Sequence, residues 1–365
     1  MPRGLLYQLL CALVIFSYGH DSMARLDVVP GSRYTSGRAA ALGDAFLPLG
    51  EDGAAGLFYN PAIIARRGSR GVEPVNLGIY ANNGYVQNFD LNFYKVAELS
   101  RYATTLQAHP GIYFSSGASL MPAAYFRGFA LGLLMQSEVG AVANGDQTIT
   151  YRSLYQFIPA VGGGIRLASG IVRLGYSLQW VNQASGQKTE AVTADPLGYN
   201  QGLSQGSALS HNLGFALTLP YTNLPSINVV ARNVLNAKFS EFSLVPLARN
   251  TVGAPATERT TYDASFSLLY RIAGGTYFNI AFVYRDFSNI TQLPMLARLV
   301  GGLELSLGDL LFIRSGYRGG YTSLGIGLRR KKAEFNFTWY GEEVGGGYKV
   351  QQDSRYMLHY QVRAF

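Results

Sequence analysis

The sequence predicts an all-β protein: a transmembrane antiparallel β-barrel of about 14 strands with a small N-terminal plug segment. Three observations carry this expectation. Apolar residues alternate with small or polar ones over most of the chain after residue 72. The links between these stretches tend to alternate short and long. Charged residues make up only 14%, while glycine (43), tyrosine (25) and phenylalanine (20) are abundant. In a soluble sandwich the second face of each strand would be rich in Lys, Glu and Thr. Here it is mostly Gly, Ala, Ser, Asn and Gln, which suits a barrel interior with the apolar face in lipid.

The elements follow in order. Residues 1–24 read as a secretory signal: Arg3 is the positive end, Leu5 to Phe16 the apolar run, and Ser22-Met23-Ala24 the cleavage region. The run is shorter than the ~20 residues a spanning helix needs. Cys11 lies inside it behind Leu10, not the small residue of a lipoprotein signal, so the exported chain uses no disulfide. Residues 25–71 form the N-terminal segment, and residues 72–365 the barrel.

Strands are expected near 73–82, 117–126, 128–139, 150–167, 170–184, 207–219, 226–236, 259–272, 276–287, 295–306, 310–318, 320–329, 333–341 and 354–365. Leu174, Tyr176, Leu178 and Trp180 share one face, and Gly175, Ser177 and Gln179 the other. Phe278, Ile280 and Phe282, and likewise Phe335, Phe337 and Trp339, repeat the pattern. Arg127, 168–170, 220–225, 273–275 and 330–332 read as tight turns, with long loops at 140–149, 185–206, 237–258, 288–294 and 342–353. Gly319-Gly320 is minimal although it falls on the long-loop side. This asymmetry is that of an outer-membrane barrel with both termini in the periplasm. Pro122 and Pro159 fall inside strands, where a missing N–H predicts a bulge at each. Phe365 supplies a terminal aromatic, off the parity of Tyr356, Leu358 and Tyr360.

Within 37–65, Pro61 suits the first turn of a helix and Asn60 its N-cap. A fourteen-stranded lumen is too wide for its own side chains to fill, so a compact 25–71 segment suits a plug. The pieces Arg38-Ala39, Leu42-Gly43-Asp44-Ala45-Phe46, Glu51-Asp52 with Ala54-Ala55, and Asn60-Pro61-Ala62 carry a family outline. The segment resembles the N-terminal region shared by FadL-like outer-membrane transporters and PorV/PorQ-like barrels. Ile63 stands where those families usually have Gly, and the chain is shorter than typical fatty-acid transporters. The resemblance implies a fourteen-stranded barrel in the outer membrane of a Gram-negative-type cell. It also implies passive uptake of small, fatty-acid-like hydrophobic molecules or, alternatively, a secretion accessory that binds or hands over secreted proteins. Arg38, Gly43, Asp44, Asp52, Asn60, Pro61 and Ala62 are the expected plug motif. Outer-membrane lipid and the barrel insertion machinery are the expected partners.

Other chemistry finds little support. The net charge of +8 is scattered apart from the run Arg329 to Lys332, so no nucleic acid is expected. His109, His211 and His359 have no nucleophile elbow nearby, and no His or Cys pair has metal spacing. No catalytic residue, metal or cofactor is expected, and no ligand-binding residue is assigned. His211 and His359 are expected at strand ends or in the lumen. Gly162-Gly163-Gly164 reads as strand facing crowded neighbours. Arg152, Arg166, Arg173, Asp263, Arg271, Arg285, Arg298, Glu304 and Arg314 are expected in lumen ion pairs, and residues 90–106 in a loop helix.

Overall fold

A computed structural model describes residues 33–49, 55–66, 70–88, 105–191, 200–273, 275–345 and 348–364. The signal segment, Asp52, most of 90–106 and Phe365 lie outside them. Fourteen antiparallel strands close into one barrel. They are β1 (Gly71–Asn82), β2 (Tyr113–Leu120, continued as Ala123–Phe126), β3 (Phe129–Ala143), β4 (Thr148–Leu167) and β5 (Val172–Ala191). Then come β6 (Ser204–Thr218), β7 (Ser226–Val234), β8 (Thr261–Ala273), β9 (Thr276–Tyr284) and β10 (Leu299–Leu307). β11 (Leu311–Arg318), β12 (Tyr321–Arg330), β13 (Ala333–Glu343) and β14 (Gln352–Ala364) complete the set. Each strand pairs with its neighbour in sequence, and β14 returns to β1 with Val72 opposite Ala364. Both ends of the barrel chain therefore lie at the short-turn end.

The expected faces hold. Phe282, Leu324 and Phe337 point outward and are exposed, while the alternate residues Ala281, Ser323 and Asn336 are buried inside. An exterior of this kind belongs in lipid. No described helix is long and apolar enough to cross a membrane.

Three expectations need correction. The 140–149 loop is a turn at 144–147, because β3 runs to Ala143 and β4 begins at Thr148. The strand expected to end at 184, with a loop from 185, runs to Ala191. At 20 residues each, β4 and β5 exceed the ~9–11 a bilayer needs and project beyond it at the long-loop end. The strand expected from 295 starts as a helical turn, α4 (Met295–Arg298), before β10. Here Pro294 precedes a single turn that cannot yet join the ladder.

The prolines behave differently from one another. Between Leu77↔Leu120 and Glu73↔Ala123, three residues of β1, Pro74 among them, oppose Met121 and Pro122. The extra residue of this bulge therefore lies on β1, opposite Pro122 rather than at it. Against β3 the Pro122 strand stays in register from Leu120↔Met135 to Ala123↔Gly132. At Pro159 there is no bulge. Phe157↔Asn182 and Ala160↔Gln179 stay in register, and the two pairs between them open. Asn182 Nδ2 fills part of that gap by donating to the Phe157 carbonyl at 3.1 Å.

Inside the barrel lie α1 (Gly37–Ala41), α2 (Ala55–Phe58) and a 3-10 turn, Pro61–Arg66, while α3 (Asn83–Asn88) follows β1. Nearly all of 34–49 and 55–65 is buried. Tyr34, Phe46, Leu57, Phe58, Tyr59 and Ile64 build an apolar core with inward wall residues such as Met121, Leu134 and Ile158. Phe46 and Tyr59 meet edge to face at 5.0 Å.

Candidate functional site: the lumen

The motif residues are the contacts that fasten this segment to the wall. Ser36 caps α1 by accepting from the Ala39 N–H at 3.1 Å. The cap aims Arg38 across the lumen, where its Nε and one amino group donate to both oxygens of Glu304 at 2.8 and 2.7 Å. Glu304 also accepts from Arg314 Nε at 2.7 Å and Asn279 at 3.0 Å, all out of contact with water. The chain of charge continues through Glu334 to Arg329.

Gly43 has φ +61°, and a Cβ there would lie 2.6 Å from the Tyr317 backbone nitrogen, so only glycine fits. Asp44 follows with its carboxylate on Arg285 and 3.7 Å from Arg318. Asn60 caps the Pro61 turn by accepting from the Ala62 N–H at 3.0 Å, as the sequence suggested, although the helix it starts is 3-10. Its amide also donates to Asn228 at 3.3 Å. Asp52, the remaining motif residue, lies outside the described residues.

Wall glycines make room for this turn. A Cβ on Gly175 would stand 2.1 Å from the Pro61 carbonyl carbon, and one on Gly214 2.8 Å from the Ala62 nitrogen. Gly162 and Gly164 of the Gly-Gly-Gly run face Ile64 and Ala65, the crowding expected of them. Gly316 and Gly325 do the same for Leu42 and Ala41. Sequence reading missed that these positions form two beds, since each glycine alone is unremarked. It also missed Arg232, which donates to the Phe58 and Tyr59 carbonyls at 2.7 and 3.1 Å while pairing with Asp263.

Of the expected lumen charges, Asp263, Arg285, Glu304 and Arg314 form ion pairs. Arg298 instead donates to the Asp286 carbonyl at 2.7 Å. Arg152, Arg166, Arg173 and Arg271 pair with no described carboxylate, which corrects the expectation for these four.

On the long-loop side of the segment lies a cavity of about 800 Å³, lined by arginines, carboxylates and amides such as Arg152, Glu138 and Gln156. Arg355 knits three acids there: Asp353 at 2.6 Å, Glu342 at 2.7 Å and Glu138 at 2.9 Å. The 285–298 loop supplies Asp286. Burial opposes its ionisation, yet hydrogen bonds from Thr291, Ile290 and Ser288 hold its carboxyl below the usual carboxylate range.

A second space of about 640 Å³ indents the wall where Pro74, Pro122 and Pro159 interrupt the ladders. Its lining is apolar and mixes outward Leu131, Leu178 and Trp180 with inward Ala123 and Ala160. Ala123 and Ala160 belong to the same core as Leu57 and Ile64. This interrupted stretch of wall therefore backs directly onto the lumen segment.

The histidines stand apart. His359 is inward and buried, 2.8 Å from Asn76 Oδ1. His211 is neither at a strand end nor in the lumen: it shares the outward parity of Leu209 and Leu213, with Tyr176 hydroxyl 2.7 Å from Nδ1. The inward parity went to Ser210 and Asn212 because they, not His211, serve the lumen contacts. Among the described residues no group of three His, Cys, Asp or Glu is gathered as for a metal.

No family model and no curated protein matches the chain. Among solved structures, the CymD monoaromatic hydrocarbon channel aligns with TM-score 0.49 and 9% identity, covering 90% of this chain and 96% of that one. The P. putida toluene transporter TodX aligns with TM-score 0.49 and 10% identity over the same shares. The outer membrane phospholipase A from Escherichia coli gives TM-score 0.31 and 12% identity, over 83% and 98%.

Proposed function

We propose that this protein is an outer-membrane channel for small hydrophobic molecules. In this reading residues 25–71 are its plug, and the short-turn end with both termini faces the periplasm. The observation that supports it is the apolar recess at the proline-interrupted wall, set against the apolar core of the lumen segment. A hydrophobic molecule gains about 25 cal/mol for each Å² it buries, and this is where the wall offers such surface beside the lumen. The cavity on the long-loop side also has apolar surface, but there it is interleaved with arginines, carboxylates and amides. It suits water and the polar end of a fatty-acid-like cargo.

Two measurements test the reading. Organic extracts of the purified protein should hold small hydrophobic molecules above the detergent blank, read by mass spectrometry. Ala124→Trp, which fills the recess from its outward face, should slow uptake of such molecules into cells without changing insertion of the barrel. An empty extract together with undiminished uptake would remove the channel reading. A second reading, a surface that binds secreted proteins, is favoured by exposed apolar loop residues: Leu235 (82%), Val252 (68%) and Phe242 (62%). It predicts an empty extract and retention of secreted proteins by the full-length barrel, lost when these three become serine.

A further inference from the structure

The short-turn end of the barrel is basic. Arg70, Arg127, Arg271 and the run Arg329 to Lys332 lie there, against the carboxylates Glu73, Asp309 and Glu334. Some of this charge is answered, as where Arg329 meets Glu334 at 2.8 Å. One trio is not. Arg166 on β4 and Arg173 on β5 stand directly opposite each other across the ladder. Like charges so placed destabilise a sheet. Both have inward parity, since Ile165, Leu167 and Leu174 beside them are exposed outward.

Arg66 is the third member. Arg166 donates to the carbonyls of Ala65 and Arg66, which brings the two residues together, and the Arg66 charge adds to the repulsion felt by Arg173. Arg173 reaches the Thr218 hydroxyl through one amino group, while its Nε is buried with no hydrogen-bond partner. No described carboxylate pairs with any of the three. Arg66 and Arg166 are exposed, so the cluster opens to water at the mouth of the barrel.

A partly buried guanidinium without a counter-charge is costly. Guanidinium forks match carboxylate and phosphate oxygens in pairs. We propose that Arg66, Arg166 and Arg173 form a binding site for a small oxyanion, a carboxylate or a phosphate, at the short-turn mouth of the lumen. The inward parity of Arg166 and Arg173 turns the site away from lipid headgroups and toward dissolved anions. The site does not depend on what the channel carries.

The test uses the full-length barrel folded in detergent, with heat unfolding followed by gel mobility. Replacing chloride by phosphate, or by acetate, at constant ionic strength should raise the unfolding midpoint by mass action. Constant ionic strength removes simple screening. Phosphate also stabilises proteins in general, so the comparison that counts is with Arg173→Gln. That variant should lose the excess shift and unfold no earlier than the parent in chloride, because the repulsion is gone. Equal shifts in parent and variant would overturn the proposal. Should Arg173→Gln fail to fold, Arg66→Gln gives the same comparison, and calorimetric titration of the parent with phosphate must still give saturable heat. A shift seen only in phosphatidylglycerol nanodiscs, not in phosphatidylcholine, would assign the anion to lipid and overturn the site as drawn.

Discussion

The lumen segment rests on two seats that use different physics. On β4–β6 the stretch from Leu57 to Ala65 lies on glycines, backbone almost against backbone, and Asn60 is the motif side chain that reaches across. On β10–β13 the stretch from Gly37 to Phe46 also finds glycines, but Arg38 and Asp44 fasten it through ion pairs. The first seat depends on shape and on hydrogen bonds from Arg232, Arg166 and Gln179 to the segment's carbonyls. It places no charge on the segment itself and should respond less to salt and pH. The second depends on every charge keeping its partner, because a buried ion left alone costs more than the pair contributes. The glycines set how close the segment can come. The ion pairs set which wall it recognises.

The largest expected effect comes from filling a bed. Gly175→Leu or Gly316→Leu puts side-chain atoms where the segment's backbone now lies, with Cβ positions 2.1 Å from Pro61 and from Gly43. Overpacking that side chains can absorb costs ~1–3 kcal/mol. Here the clash is with backbone that cannot turn aside, so the segment should leave its bed altogether and lose both seats. Both variants should still insert, since ladder hydrogen bonds close the barrel, but single-channel conductance should rise. Deleting Arg25 to Gly71 should raise it at least as far. A deletion variant that inserts yet conducts like the parent would place the segment's role outside the lumen.

Next comes the ionic seat. Arg38→Ala strands Glu304 beside a single arginine and should cost ~3–5 kcal/mol of segment docking, read as faster proteolysis within 37–65. The double variant Arg38→Ala/Glu304→Gln should recover much of that. If the double is as damaged as the single, the pair is not what holds the segment.

The exterior gives an intermediate effect. Phe282→Arg should cost ~2–4 kcal/mol in a folding titration if it sits near the bilayer midplane. Arg at lumen-facing Asn212 should cost less, and equal costs would reverse the assigned faces. Asn60→Ala is the smallest change, ~0.5–2 kcal/mol for a lost cap. It should show as a slight rise in conductance that added salt leaves unaltered, unlike that of Arg38→Ala.

Much of this architecture is legible in the order of residues alone. Period-two alternation identifies fourteen strands and the faces of those with the clearest repeat, such as 174–180 and 335–339, because lipid on one side and the lumen on the other impose opposite demands on successive residues. The ladder break at Pro122 is legible because proline removes a donor wherever it sits, but the bulge that meets it falls on β1 beside Pro74. Pro159 misleads: its gap is met locally by Asn182, so the register never shifts. The 140–149 stretch misleads because β3 and β4 continue above the membrane, where neither face meets lipid and the alternation no longer marks a strand's end. Inward parity also suggests room for a large polar residue at Gly175, where the Pro61 turn in fact leaves none.

By itself the sequence determined a membrane barrel of fourteen strands, with outward and inward residues, and a capped Asn-Pro-Ala turn ahead of it. All of these are set by neighbours one to four positions apart, where period and capping act. Only the tertiary structure decided that Arg38 meets Glu304, 266 positions away, that Gly175 and Gly214 lie beneath Pro61, and that Arg166 faces Arg173 with no acid between them. Such pairings follow from closure of the barrel around the segment, which brings together residues whose separation along the chain carries no periodic signal.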